Sequence, residues 1–407
     1  MLTNDSLPRG WRWAKLGDIT RIATGGTPST VHYEYYGGDI HWLTSGDVKG
    51  TYIHDVPHRI TQQGLDNSNA KVHPAGSVML AMSGQGKTRG TSAILKVPSA
   101  CSQSVAAILP TTEALPEIIH FALVKSYENT RRITGDNERT GLNLKIIQKI
   151  EIPLPPLEEQ KPIARILIAQ MAAIEKARTA AKARLEAAKA LPAAYLREIF
   201  ESEEGKGWPK NLLGTLCSVK GGKRLPKGTD FTVTKTNHPY LRVVDFENGN
   251  INLNELKYLD NQTQSQISRY IINSDDVYIS IAGTIGLIGV IPEELDGSNL
   301  TENAARLIIK DKNNLSRDYL AGYLKSPLGQ EAIKQRTNAV GQPKLALERI
   351  ATIGIPLPNI SKQNDLLTNI NNIFHETSYL VTTLQRELDA ISALPAALLG
   401  QAFSGGL

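Results

Sequence analysis

Two hydrophobic runs and two long amphipathic stretches dominate the hydrophobic pattern of the chain. The runs, residues 78–82 and 277–281, contain few polar residues and predict buried strands. Each long stretch follows an Ile-Pro-Leu-Pro segment, whose prolines favour extended backbone and stop an earlier helix from continuing. The stretches themselves are rich in helix-forming residues and predict helices over residues 157–200 and about 362–402.

Both predicted helices carry apolar residues at helical spacing. These residues are Ile163, Ile166, Leu167, Ile174 and Leu185 in the first helix, and Leu366, Ile370, Ile373, Thr377, Leu380, Leu384, Leu388 and Ile391 in the second. A helix of about 40 residues spans roughly 60 Å, so it needs a partner helix to bury such a stripe. We therefore predict that the two helices pair as an antiparallel coiled coil, with two independent helical bundles as the alternative. Pro192 and Pro395 should end or kink each helix near its tail.

The chain also matches itself at a shift that grows from 197 to 203 residues. The matches, in order, are Gly10-Trp11 with Gly207-Trp208, Leu16-Gly17 with Leu213-Gly214, Gly25 with Gly222, Trp42-Leu43 with Tyr240-Leu241, residues 76–84 with 275–283, residues 142–155 with 345–358, and Gln160 with Gln363. Because the order never reverses, the pattern predicts a tandem duplication that includes the long helices.

The duplication predicts an α+β protein with two tandem α/β domains and two long helices. We expect a first globular domain over residues 1–155, a central helix over 156–203, a second globular domain over 204–358 and a C-terminal helix over 359–407. Antiparallel helices would place the globular domains at opposite ends of a rod, related by an approximate two-fold axis. That shape suits two short DNA sequences separated by a gap, which roughly 60 Å would limit to about 18 base pairs.

Composition narrows the class of protein only modestly. Hydrophobic residues make up 41% of the chain and charged residues 21%, as in a soluble globular protein. The net charge of +5 permits nucleic-acid binding without requiring it. Cys101 and Cys217 are far apart, so disulfides and structural zinc are not expected, and no secretory signal is recognisable at the start. These features favour a cytoplasmic protein, with no segment apolar enough to span a membrane.

Several short motifs, in the same order in both copies, resemble a known family. They are a Gly-Trp near the domain start, a Gly-Gly loop, a Trp-Leu-Thr segment followed by Asp47, an apolar strand ending in Ser-Gly or Ala-Gly, and Ile-Pro-Leu-Pro before a helix that carries a Gln-Lys or Gln-Asn pair. The ordered set resembles the specificity subunits of type I restriction-modification systems over essentially the whole chain.

The resemblance implies two target-recognition domains that each read one half of a split, asymmetric double-stranded DNA target. It also implies that the helices dock two methyltransferase subunits and set the spacer between the half-sites, and that restriction-translocase subunits join this assembly. S-adenosylmethionine, ATP and Mg would then be held by the partners. This chain would have no cofactor, metal or catalytic residue of its own.

The motifs of two enzyme classes test this expectation. No Asn, Asp or Ser is followed by Pro-Pro and an aromatic residue, the pattern with which an adenine methyltransferase holds its flipped base. Residues 81–88 resemble a phosphate-binding loop and end in Lys87-Thr88, but Ala81 replaces the first glycine and the second copy has no matching lysine. We interpret this segment as a strand-turn-strand loop. A P-loop NTPase and a scaffold of two interaction domains on a coiled coil remain the alternatives.

Basic loops and polar residues near strand ends are the candidate DNA contacts. For the phosphate backbone these are Lys87 and Arg89 in the first domain, and Lys220, Lys223, Arg224 and Lys227 in a Gly-flanked loop of the second. For the bases they are Thr44, Ser45, Gln85, Arg242 and Asn299. Because the two domains differ in sequence, the two half-sites should differ.

Overall fold

The computed structural model describes residues 7–84, 87–132, 141–247, 249–337 and 343–407. The chain divides into two compact units. The first unit consists of Met1–Lys182 together with Arg386–Leu407, and the second consists of Ala183–Gln385.

The first globular domain lies in the first unit. Its strands are β1 (Arg12–Lys15), β2 (Ile22–Thr24), β3 (Tyr36–Leu43), β4 (Tyr52–Ile53), β5 (Arg59–Ile60), β6 (Val72–His73), β7 (Val78–Ala81), β8 (Ser92–Leu95), β9 (Ser99–Cys101), β10 (Val105–Ile108) and β11 (Glu151–Leu154). Its helices are α1 (Leu16–Ile19), α2 (Gln62–Asp66), α3 (Pro116–Lys125), α4 (Tyr127–Arg132) and α5 (Leu144–Gln148), and they precede the long helix α6 (Leu157–Glu201). Two 3₁₀ turns cover Tyr33–Tyr35 and Ser45–Asp47.

The second globular domain follows in the second unit. Its strands are β12 (Lys210–Leu212), β13 (Cys217–Gly221), β14 (Pro239–Leu241), β15 (Phe246–Glu247), β16 (Asn250–Ile251), β17 (Lys257–Tyr258), β18 (Ile271–Ile272), β19 (Val277–Ser280), β20 (Ile288–Val290), β21 (Ser298–Leu300), β22 (Ala304–Ile309) and β23 (Gly354–Pro356). Its helices are α7 (Glu203–Gly207), α8 (Leu213–Leu216), α9 (Asn261–Gln266), α10 (Arg317–Lys325), α11 (Pro327–Arg336) and α12 (Leu347–Ile350), and they precede the long helix α13 (Ile360–Ala402). Two 3₁₀ turns cover Val243–Asp245 and Glu293–Leu295.

The sheets of the two domains share one strand order, except that the edge strand β4 of the first domain has no counterpart in the second. In the first domain the strand orders are β2-β10-β7-β8-β4 and β5-β3-β9-β6, and in the second they are β13-β22-β19-β20 and β17-β14-β21-β18. Equivalent strands pair in the same sense, including the parallel pairs β3–β9 and β14–β21. The duplication predicted from the sequence is therefore confirmed at the level of strand order.

The two predicted buried strands, β7 and β19, lie inside these sheets. Val78 and Leu80 face one hydrophobic cluster, whereas Met79 and Ala81 face another, so β7 is buried on both sides. A strand covered on both faces has no reason to alternate with polar residues, which explains its continuous apolar run. The equivalent strand β19 is also fully buried.

A buried glutamine joins each long helix to its globular domain. Gln160 is 0% exposed; its Oε1 accepts a hydrogen bond from the Leu115 amide (2.8 Å), and its Nε2 donates to the carbonyls of Glu113 and Pro155 (3.0 Å each). Gln363 makes the equivalent bonds with the Ser316 amide (2.9 Å) and the carbonyls of Asn314 (2.9 Å) and Pro358 (2.8 Å). Each glutamine lies at the start of its long helix, and its side chain thus satisfies three backbone groups of the adjoining globular domain.

The long helices pair in opposite directions within each unit. In the first unit, Ile163 and Leu167 near the start of α6 share a hydrophobic cluster with Leu399 and Phe403 at the end of α13. In the second unit the cluster is made by Leu196 and Phe200 near the end of α6 with Leu366 and Ile370 near the start of α13. The predicted antiparallel pairing is confirmed. No helix in the described ranges has both the length and the apolar character needed to cross a membrane.

Neither proline ends its helix. The helix α6 continues past Pro192 to Glu201, and α13 continues past Pro395 to Ala402. Of the two predicted effects of these prolines, an end or a kink, the end is therefore wrong. Each proline costs one backbone hydrogen bond. The residues beyond it are nevertheless buried in a core, as Phe200 and Phe403 show, and this burial offsets the loss.

Candidate nucleic-acid interface

The glycine loop that follows β2 approaches the backbone of β9 closely. A Cβ atom at Gly25 would lie 1.6 Å from the Cys101 carbonyl oxygen, so only glycine fits there. The next amide, that of Gly26, donates to the same carbonyl (2.9 Å), and the Gly26 carbonyl accepts a hydrogen bond from Trp42 Nε1 (2.9 Å). Because Trp42 is buried, it holds this loop from inside the domain.

The second domain has the same backbone arrangement at its glycine loop, called the frame below, but with different side chains. Gly222 is equally crowded, since a Cβ there would lie 2.1 Å from the Thr301 carbonyl oxygen. The Lys223 amide donates to the Leu300 carbonyl (2.8 Å), and the Lys223 carbonyl accepts a hydrogen bond from the buried Tyr240 hydroxyl (2.8 Å). A shared backbone path therefore presents Gly26 and Thr27 in one copy, and Lys223 and Arg224 in the other.

The side chains carried by this frame differ in charge. In the first domain the Thr27 hydroxyl donates to Gln103 Oε1, a neutral pair. At the equivalent place in the second domain, Arg224 Nε donates to Glu302 Oε1 over 2.6 Å, an ion pair. The hydrogen bond to Glu302 raises the pKa of the Arg224 guanidinium, so Arg224 is positively charged at any physiological pH.

The basic loop (residues 220–227, at the end of β13 and beyond) is exposed at all four of its predicted contact residues. These residues are Lys220, Lys223, Arg224 and Lys227. The Lys223 ammonium lies 5.7 Å from the centre of the Tyr270 ring, within range of a cation–π contact. Four exposed cations therefore stand on one loop, which the backbone hydrogen bonds of Lys223 attach to the domain.

A second shared feature is a 3₁₀ turn directly after β3 and β14. In the first domain the Thr44 amide and hydroxyl both donate to Asp47 Oδ2, over 2.7 and 2.9 Å. In the second domain the Arg242 amide donates to Asp245 Oδ2 over 2.7 Å, and its guanidinium bonds both carboxylate oxygens. The turn is thus preserved while a short neutral side chain is exchanged for a long cationic one.

Comparison with known proteins identifies this duplicated frame. The family model described as "Type I restriction modification DNA specificity domain" matches residues 8–183 and again residues 205–389. The chain belongs to the type I restriction-modification DNA specificity family. The resemblance inferred from the motifs is therefore confirmed, and each match covers one globular domain with the first part of its long helix.

Curated relatives of this specificity-family chain are described as specificity subunits of type I restriction enzymes. It is 27% identical to the MjaIX specificity subunit of Methanocaldococcus jannaschii over 62% of this chain and 59% of the relative. It is 24% identical to the EcoBI specificity subunit of Escherichia coli over 65% of this chain and 60% of the relative. The match to the Escherichia coli EcoKI specificity subunit is weaker in identity, at 21%, but spans 98% of this chain and 90% of the relative.

Solved structures in the same family share the fold. A chain from a study of complex assembly and conformational transition of the type I R-M system covers 99% of this chain and 100% of its own length, with a TM-score of 0.78 and 20% identity. The HsdS subunit from Thermoanaerobacter tengcongensis has a TM-score of 0.61 at 22% identity, with 98% of both chains covered.

The lysine-containing loop between β7 and β8 of the specificity-family chain lacks the architecture of a phosphate-binding loop. Lys87 lies in a turn, and β8 then pairs antiparallel with β7, as the strand-turn-strand interpretation predicts. A phosphate-binding loop would lead into a helix. Lys87 is exposed, whereas Arg89 is only 8% exposed; Gln85 lies outside the described residues. We therefore leave Arg89 out of the proposed DNA surface, because its guanidinium is packed inside the domain.

The remaining base-reading candidates differ in their exposure and in their hydrogen bonds within the domain. Thr44 and Ser45 are partly exposed at the first 3₁₀ turn. Asn299 is 1% exposed and its Nδ2 donates to the Ile267 carbonyl (2.9 Å), so it holds the sheet together and offers nothing to a ligand. The Nε and Nη2 atoms of Arg242 donate hydrogen bonds to Asp245, and Nη2 also donates to the Glu255 carbonyl (3.0 Å). These two nitrogens are therefore already bonded within the domain.

Sequence reasoning missed three residues of this surface. Thr27, Gln103 and Glu302 have no motif of their own, and a single Gln or Glu in a loop carries little information. The signal was the duplication itself, because a shift of 199 residues places Gln103 on Glu302 between two matched strands.

Proposed function

We propose that this chain is the DNA-recognition subunit of a type I restriction-modification enzyme, and that each globular domain reads one half of a bipartite target. The observation that carries the proposal is the pairing of one backbone frame with two sets of side chains. A frame built twice, with Thr27 and Gln103 in one copy and Arg224 and Glu302 in the other, suits the reading of two different sequences with one docking geometry.

In this proposal the exposed lysines supply the sequence-independent part of binding. Lys220, Lys223 and Lys227 stand on the basic loop, and Lys87 stands on the β7–β8 turn of the first domain. Contacts of this kind fix the register of the protein on the duplex and make its affinity depend on salt. The bases would be read by side chains held beside them, on the glycine loops and 3₁₀ turns.

The long helices would serve the partner subunits. In the second unit, α6 and α13 border an apolar groove of about 300 Å³ lined by Leu191, Tyr195, Ile373 and Leu380, with Glu198 and Glu376 among its lining residues. Apolar side chains of a partner helix can pack into a groove of this kind. We propose that the helices dock two methyltransferase subunits, which hold S-adenosylmethionine, and that restriction-translocase subunits using ATP and Mg join them. Recognition then belongs to this chain and catalysis to its partners.

The test is sequence-dependent binding by the chain assembled with its methyltransferase partner. The methylated adenines of the host, read by sequencing, should reveal a bipartite motif, and a duplex with that motif should outcompete a scrambled one. Replacing Lys220, Lys223 and Lys227 with Gln should weaken binding to all sequences and lower the salt slope by about one for each phosphate that is no longer neutralised. The same change at three exposed lysines outside the loop, Lys206, Lys210 and Lys312, is the matched control.

If the assembled complex binds scrambled and matched duplexes equally, or not at all, the proposal fails and a scaffold without a DNA role becomes the better account. ATP binding by the isolated chain that disappears in Lys87→Ala would instead favour the NTPase alternative.

A further inference from the structure

Arg224 differs from every other cation of the basic loop in how its donors are used. Its side chain is 79% exposed, and its Nε donates to Glu302. Among the described residues, no hydrogen-bond partner is found for its two terminal nitrogens. The guanidinium is therefore fixed at its inner edge and open at its outer edge, where two parallel N–H donors point away from the pair.

The backbone beside Arg224 and the side chain of Glu302 both make further hydrogen bonds. The neighbouring residue, Lys223, is bonded through its amide to Leu300 and through its carbonyl to the buried Tyr240 hydroxyl. The second carboxylate oxygen of Glu302 accepts a hydrogen bond from the Thr301 hydroxyl (3.1 Å). The bond from Nε to Glu302 orients the guanidinium, so its terminal nitrogens face a ligand from a defined side of the pair.

Arg242 provides the internal contrast. It is also an arginine beside a carboxylate in the same domain, but it is mostly buried and its Nε and Nη2 both bond Asp245. Its Nη2 also donates to the Glu255 carbonyl. Arg242 therefore closes a turn, whereas Arg224 presents a fork.

We infer that Arg224 is a base-reading residue that recognises a guanine in the half-site bound by the second domain, and that Glu302 is its positioning residue. The inference rests on the proposed function. Guanine presents its N7 and O6 acceptors side by side in the major groove, and two parallel N–H donors of an arginine match them as a bidentate pair. Adenine and the pyrimidines lack two adjacent acceptors on that edge. The first domain has Thr27 and Gln103 here, so it would not share this guanine preference.

The experiment uses the assembled complex and duplexes in which each base pair of the second half-site is replaced in turn. In Arg224→Gln, the preference for guanine at one position should fall by about 10- to 100-fold, while the other positions and the first half-site keep their wild-type ratios. Arg224→Lys should lose nearly as much, because lysine keeps the charge but lacks the planar fork. Glu302→Gln should cause a smaller loss, confined to the same base pair.

The ion pair between Lys312 and Asp275 offers a matched control, since it is exposed in the same domain. Lys312→Gln with Asp275→Asn should leave every base preference unchanged. The inference is overturned if Arg224→Gln weakens all duplexes equally and Arg224→Lys restores binding, which would mark a phosphate contact, or if no base preference changes. A wild-type complex without any bipartite preference would instead refute the proposed function.

Discussion

Phe200 and Phe403 occupy equivalent positions in the two copies, and each is buried in the globular core of the opposite copy. Phe200 lies in the last turn of the helix of the first copy, yet the centre of its ring lies 5.0 Å from that of Tyr323 and 6.2 Å from that of Tyr319 in the second domain. Phe403 follows the helix of the second copy and joins the cluster of the first domain. Each domain thus receives its last core residues from the helix of the other copy.

This exchange predicts that distant substitutions destabilise specific domains. Phe403→Ala should lower the free energy of unfolding of the first unit by about 3–5 kcal/mol, and Phe200→Ala should do the same for the second, because each leaves a cavity in a packed core. Urea denaturation followed by hydrogen exchange and mass spectrometry would assign the loss to a unit. Phe374→Ala, on a 43% exposed residue of α13, is the control and should change little. Loss of protection in the second unit after Phe403→Ala would contradict the assignment.

The two buried glutamines predict equal penalties in the two copies. Gln160→Leu or Gln363→Leu would leave one amide and two carbonyls buried without their partner. Since a buried unsatisfied group costs about 1–3 kcal/mol, each variant should lose at least about 2 kcal/mol of stability in chemical denaturation. Gln170→Leu, on an exposed position of α6, should be nearly neutral. A neutral Gln160→Leu would mean that water or rearranged backbone takes over these bonds.

Acid stability should depend on one buried histidine. His120 is 3% exposed, its Nδ1 lies 3.0 Å from the Ser92 hydroxyl, and burial lowers its pKa to about 4. Well above pH 6.5 the ring is neutral in both states, so it adds no pH dependence there. As the pH falls from about 6.5 to 4, the unfolded chain binds a proton that the folded chain does not, and the free energy of unfolding falls by about 3 kcal/mol.

Replacing this histidine isolates its share of the acid response. His120→Gln should flatten the dependence of unfolding free energy on pH between about 4 and 6.5, relative to the wild-type chain. Parallel curves for wild type and His120→Gln would show that His120 protonates in the folded state.

The length of the helices should set the gap between half-sites. Because α6 is continuous over Leu157–Glu201, four residues inserted between Ala177 and Ala190 add about 6 Å, or one to two base pairs of DNA. A matching insertion in α13 would lengthen both long helices by the same amount. The preferred gap, read from the methylated sites of the host, should lengthen by the same amount. An unchanged gap would contradict the prediction that the helices set the spacing between the half-sites.

Features with a local physical cause were predictable from the sequence. The strands β7 and β19 follow from apolar runs, and the boundaries of α6 and α13 follow from helix-forming residues after proline-bracketed strands. Burial caused by distant packing was not predictable. Arg89 and Asn299 are polar residues near strand ends, like Thr44, and only the folded domain shows that they are buried. The burial of Phe200 has the same origin, because its ring packs against Tyr319 and Tyr323 of α10.

The completion of the first core by Leu399 and Phe403 also constrains how the protein is made. During synthesis the first globular domain leaves the ribosome long before these residues, which follow only after the whole second domain has been translated. At typical translation rates this delay is on the order of tens of seconds, during which part of the first core faces solvent or a chaperone. A frameshift or stop codon near residue 395 would therefore damage the domain that was translated first.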